Sequence, residues 1–162
     1  MVRAYFISDK SGFRYPYEQR VKESTGFVVG PDESDGNYNL VSAAASVNYG
    51  SWDHIAFTRK SSTNIWTLYL NGVSVDTFDD GGGAITNRAA SLYFNIGQAY
   101  SIGGDNLVGK MSEVCLFNYE LSLDQVTTLY GSAGAGVGNP MALDVVPVAY
   151  YKGDKAGLGD QW

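Results

Sequence analysis

The chain has 162 residues, enough for one domain with a real core and too few for two of ordinary size. Its formal net charge is −6 and it shows no basic stripe, which argues against nucleic acid and against anionic membrane surfaces as partners. No apolar run approaches the length that spans a bilayer, so membrane insertion is not expected.

Hydrophobic residues make up 44% and charged residues 17%, a globular balance rather than a disordered one. Aromatic residues reach 14%, and there are twenty glycines against four prolines. Aromatics suit half-buried pleated surfaces and glycine suits the turns between them, so the expected class is all-β. The single cysteine, Cys115, lies in an apolar run, can form no intramolecular disulfide, and reads as a small core residue. The opening Met1-Val2-Arg3-Ala4-Tyr5-Phe6 lacks the apolar core of a secretory signal, and no Asn-x-Ser/Thr sequon occurs. These features fit a protein made in the cytoplasm and delivered outside by assembly.

In chain order, the first strand-like pieces fall at 4–8, 26–29 and 38–43, with a turn at Gly30-Pro31-Asp32-Glu33-Ser34-Asp35-Gly36. Residues 52–59 (WDHIAFTR) and 65–71 (IWTLYLN) read as strands. In the second, Trp66, Leu68 and Leu70 alternate with Thr67 and Tyr69, the period-2 mark of a half-buried strand. Asn71-Gly72 follows, both residues tolerating positive φ, and 73–78 returns, so 65–78 is expected to be a two-residue β-hairpin. Asp79-Asp80-Gly81-Gly82-Gly83 is a loop, 91–97 (SLYFNIG) a further strand, 98–106 a second loop, and 107–119 a long apolar strand. One helix is expected: Ser122 as N-cap, Gln125 closing a capping box, Leu121 and Val126 at the staple positions, and Gly131 as the stop after Tyr130. Residues 131–138 (GSAGAGVG) read as a linker, and 144–152 as extended chain. Many short strands and one short helix describe a sandwich or jelly roll.

The run Trp52-Asp53-His54-Ile55-Ala56-Phe57-Thr58-Arg59 followed by Trp66-Thr67-Leu68-Tyr69-Leu70-Asn71-Gly72 resembles the paired central strands of laminin-G-like and pentraxin-like domains of the concanavalin A-like superfamily. Phe94-Asn95-Ile96-Gly97 resembles the strand after them, and Gly109-Lys110-Met111-Ser112-Glu113-Val114-Cys115-Leu116-Phe117-Asn118 is similar to the next. Leu121-Ser122-Leu123-Asp124-Gln125-Val126 is similar to the closing helix. The resemblance runs from about Trp52 to Tyr130; the first fifty residues match poorly, and Val148-Ala149-Tyr150-Tyr151-Lys152-Gly153-Asp154 looks like a segment that often opens such a domain. It implies an antiparallel β-sandwich, a concanavalin A-like jelly roll with one short helix. The expected organisation is a module at 1–130, a Gly-rich linker at 131–142, and an extended segment at 143–162 that completes this sheet or a neighbour's.

Chemistry-bearing residues are sparse. The calcium cluster of pentraxin-like relatives would follow Gly97, where Gln98-Ala99-Tyr100-Ser101 offers no carboxylate. Asp32, Glu33 and Asp35, with Asn37, are weak substitutes, and a solvated acidic turn is the stronger reading, so no cofactor is expected. Superfamily glucanases need two carboxylates on one strand face. Glu33 and Asp35 begin such a pattern but Tyr38 breaks it, and Glu113 stands alone on its strand. His54, the single histidine, has no serine elbow beside it and reads as structural. Trp52, Trp66, Phe94 and Phe117 are expected in the core. Tyr100 is the best candidate for an aromatic that stacks on a sugar ring, with Gln98, Asn87, Asp79, Asp80 and Asp105 as polar groups on the same rim loops. The expectation is therefore a non-enzyme that binds glycans or neighbouring subunits, exposed on a virion or cell surface, as a homo-oligomer or in a larger assembly. The rival is a purely structural virion component.

Overall fold

The computed structural model describes residues 2–7, 18–22, 26–30 and 40–41 as backbone strands, and residues 52–79, 81, 111–131 and 140–151 more fully. A six-stranded sheet is ordered β7-β6-β5-β1-β8-β9, from β1 (Val2–Ile7), β5 (Asp53–Lys60), β6 (Ile65–Leu70), β7 (Val73–Asp79), β8 (Val114–Phe117) and β9 (Ala149–Tyr151). A three-stranded sheet holds β2 (Glu18–Lys22), β3 (Gly26–Gly30) and β4 (Leu40–Val41), and β4 comes close to β6 and β7. The pairings are antiparallel except those of β1, which lies between β5 and β8 and runs parallel to both.

The expected hairpin is present. Leu70 pairs with Val73, and Asn71 and Gly72 take φ of 51° and 80°, the mirror-image turn whose twist matches the strands. Gly72 is also confined by space: a Cβ there would sit 3.0 Å from Tyr130 Cδ1. On the return strand the register slips between Leu68 and Tyr69, which pair with Asp76 and Ser74, so Val75 is the extra residue of a bulge.

Both faces of the large sheet are covered, which is why β5 is buried at seven of its eight positions. Ile55, Phe57, Trp66, Leu68, Leu70, Val114 and Leu116 form one cluster. On the other face Ala56, Tyr69, Cys115 and Phe117 pack against Leu121, Val126 and Leu129. The last two belong to helix α1 (Leu123–Tyr130). The capping box forms as expected: Gln125 N donates to Ser122 Oγ at 3.2 Å, and Ser122 N donates to Gln125 Oε1 at 2.9 Å. Gly131, with φ 79°, ends the helix by donating to Thr127 O at 3.0 Å.

Three expectations change. Trp52 is not core: it stands 39% exposed just before β5, because the burial of that strand begins one residue later, at Asp53. Of the long strand expected at 107–119, residues 107–110 lie outside the described residues; among 111–119 the continuous ladder is Val114–Phe117, since Glu113 takes φ 59° and breaks the extended path before it. Strand β2 was not expected, because Glu-Gln-Arg-Val-Lys carries one apolar residue and no alternation; its partner β3 makes it a strand. The strand expected at 91–97, Phe94 included, lies outside the described residues, as does the Gly-rich run from 132 onward.

Candidate functional site

The two ends of β5, β6 and β7 differ in character. At the hairpin end Asn71 works as a latch. Its backbone N donates to His54 O at 2.8 Å, its Oδ1 accepts from His54 N at 2.8 Å, and its Nδ2 donates to Asp53 Oδ1 at 3.0 Å. The buried His54 ring lies 5.7 Å from the Tyr130 ring. One amide side chain therefore ties the turn to the start of β5, a structural use of these polar groups.

At the opposite end, Lys60, Ile65 and Asp79 stand side by side across the three strands. Asp79 is exposed, and its Oδ1 accepts from Gly81 N at 2.8 Å, which starts the following loop as a tight turn. Beside it, the turn 61–64 is closed by Thr63 N donating to Lys60 O at 3.3 Å. Below this rim the Arg59 guanidinium lies 5.7 Å from the Trp66 ring centroid and donates from Nη2 to Asn64 Oδ1 at 3.4 Å. The Lys60–Glu120 ion pair, at 3.9 Å and well exposed, adds little.

Of the residues expected to bind, Asp79 alone is placed. Asp80, Asn87, Gln98, Tyr100 and Asp105 lie outside the described residues, as do the weak metal candidates Asp32, Glu33 and Asp35. Among the described residues no group of three His, Cys, Asp or Glu side chains is gathered as a metal would require. Among them, too, no helix is long and apolar enough to cross a membrane.

Two arrangements escaped the sequence reading. Glu113, noted there only as a solitary carboxylate, accepts a hydrogen bond at Oε2 from the hydroxyl of Tyr150, 37 residues away. Beside it, Cys115 is fully buried; burial first, and the Glu113 carboxylate second, push its thiol pKa far up, so it is a poor nucleophile. The second arrangement joins α1 to the chain beyond it: Gln125 Nε2 donates to Asp144 Oδ1 at 2.8 Å, and Tyr119 Oη donates to Val146 O at 3.2 Å. No local pattern announces either contact, because each joins residues far apart in sequence.

Burial, and secondarily the Asp144 carboxylate, push Tyr119 up to about 12 from an ordinary 10.0. The folded state thus resists ionisation that the unfolded chain allows. The stability this contributes is complete below pH 10 and is lost as pH rises toward 12. Stability should accordingly fall less steeply across that window in Tyr119→Phe than in the unchanged chain. Denaturation midpoints measured at intervals across the window check this, and equal slopes would count against it.

A laminin G-type family model, described as the concanavalin A-like lectin/glucanases superfamily, matches residues 2–127. The chain belongs to this family. The match takes in the first fifty residues, which the resemblance read from sequence had left out, and agrees with the sheets and short closing helix described above. In rat, "Sushi, von Willebrand factor type A, EGF and pentraxin domain-containing protein 1" is 33% identical over 101 residues. That alignment covers 54% of this chain and 3% of the relative, so the chain spans only a small part of that protein's length. Among solved structures, an S-layer domain-containing protein from Clostridium thermocellum aligns with a TM-score of 0.45 at 20% identity, covering 71% of this chain and 63% of that one.

Proposed function

We propose that this member of the concanavalin A-like superfamily is a non-catalytic carbohydrate-binding or adhesion module displayed on a virion or cell surface. The observation that carries the reading is the family match over residues 2–127, to a superfamily named for both lectins and glucanases. The rat relative is named for pentraxin domains, the same group that the central strands resemble. The Glu113 carboxylate is engaged by Tyr150 within the sheet, which supports a non-catalytic role for it.

In this proposal the binding residues come from the segments 79–87 and 98–106, of which Asp79 and Gly81 are described. Tyr100 stacks on a sugar ring, while Gln98, Asn87, Asp79, Asp80 and Asp105 read its hydroxyls. The module itself is 1–130, joined through 131–142 to a C-terminal segment at 143–162. A purely structural role in a virion is the second reading, favoured by the exposed Met141, Val146 and Val148 on the C-terminal segment.

A glycan array on the folded chain, run with calcium and again with a chelator, tests the first reading. Calcium-independent hits are expected, weakened by about tenfold or more in Tyr100→Ala while the fold is unchanged. Hits lost on chelation would instead assign a metal, with Asp32, Glu33 and Asp35 the first residues to replace. A blank array from a folded sample would overturn the carbohydrate reading in favour of the structural one.

A further inference from the structure

Segment 140–151 is held by contacts that another copy of itself could make equally well. Its bonds to Gln125 and Tyr119, the donation from Val148 N to Leu116 O at 2.7 Å, and the pairing of β9 with β8 all run to one strip formed by β8, α1 and the turn between them. Leu143, Val145 and Tyr150 pack on the helix-side cluster, and Ala149 and Tyr151 on the other. The connection back to α1 is the eight residues 132–139, three of them glycine. Fully extended, eight residues reach at most about 29 Å.

Three further observations bear on how firmly the segment belongs to its own chain. Among the described strands β9 is the end of the sheet, so its seat on β8 is an edge that a second molecule can approach. Seated as it is, the segment leaves Met141, Val146 and Val148 at 54%, 61% and 55% exposure, three large apolar side chains within eight residues. The seat is also anchored by a residue under strain: Glu113 holds φ 59°, a left-handed conformation that disfavours side chains, while its carboxylate takes the Tyr150 hydroxyl.

We infer that segment 140–151 exchanges between two copies of this chain, the β9 of each pairing with the β8 of the other. Reciprocal exchange keeps every hydrogen bond named above, closes as a two-fold dimer, and supplies a second molecule to cover Met141, Val146 and Val148. It holds whether or not the rim binds a glycan.

Cys115 stands opposite Tyr150 in the ladder, at the separation a disulfide spans, and is the only cysteine in the chain. The full chain carrying Tyr150→Cys is incubated over a range of concentrations, oxidised with diamide, and resolved on a non-reducing gel with peptide mass mapping. Exchange gives a bond between position 115 of one chain and position 150 of another, with the dimer fraction rising several-fold as concentration rises. A bond confined within one chain at every concentration, or links between like positions only, would overturn the inference. Because this substitution removes the Tyr150 hydroxyl, a second variant keeps it and deletes residues 134–138, which disfavours the seat within one chain. Light scattering should then give the mass of a dimer, and a folded monomer would overturn the inference independently.

Discussion

Phe117→Ala is expected to lower stability by about 3–5 kcal/mol, the range for emptying an aromatic site in a packed core. Phe117 has no exposed surface, lies on the helix-facing side of β8, and meets Tyr119 edge-on with centroids 5.7 Å apart. Its cluster, with Ala56, Tyr69, Leu121, Val126 and Leu129, is what joins α1 to the sheet. The neighbours come from a helix and from β5, β6 and β8, so no single element can collapse into the space. Typical domains hold only about 5–15 kcal/mol in total, so the variant sits near the unfolding threshold. Denaturant unfolding monitored by tryptophan fluorescence measures the loss. A value below about 1 kcal/mol would mean that α1 is not packed on this face.

Asn71→Ala should cost about 2–4 kcal/mol through two separable causes. Alanine at φ 51° pays the left-handed penalty that asparagine tolerates. It also deletes the acceptor for His54 N and the donor to Asp53 Oδ1, at a site where both neighbours are buried. Asn71→Gly separates these, since glycine relieves the backbone but restores neither bond. The glycine variant should therefore recover about 1 kcal/mol relative to alanine and remain below the unchanged chain. Equal stability of the glycine variant and the unchanged chain would show that the side-chain bonds add nothing and that the turn alone needs Asn71.

Asn71 also marks where the sequence stops being readable. That Asn-Gly makes a two-residue turn is a property of two residues and their allowed φ, and it could be stated before any fold was known. That the same side chain reaches back to Asp53 depends on β5 lying alongside, and nothing near position 71 encodes it. The helix tells a similar story. Ser122, Gln125 and Gly131 specify its ends through bonds within one turn, whereas the Gln125–Asp144 bond needs the chain to come back after residue 140.

The sequence by itself therefore determined the class, the central hairpin and the capped helix, because alternation, turn chemistry and capping act over a few residues, while the family entered through the resemblance of the central motifs. Tertiary structure alone decided the rest. Trp52 is a large aromatic expected in the core but sits just outside the buried stretch of β5. β2 exists through its partner, and β1 reaches its place through parallel pairing with β5, about fifty residues on. Glu113 meets Tyr150 only because β9 returns to β8. These contacts join residues tens of positions apart, and only the packed sheet brings them together.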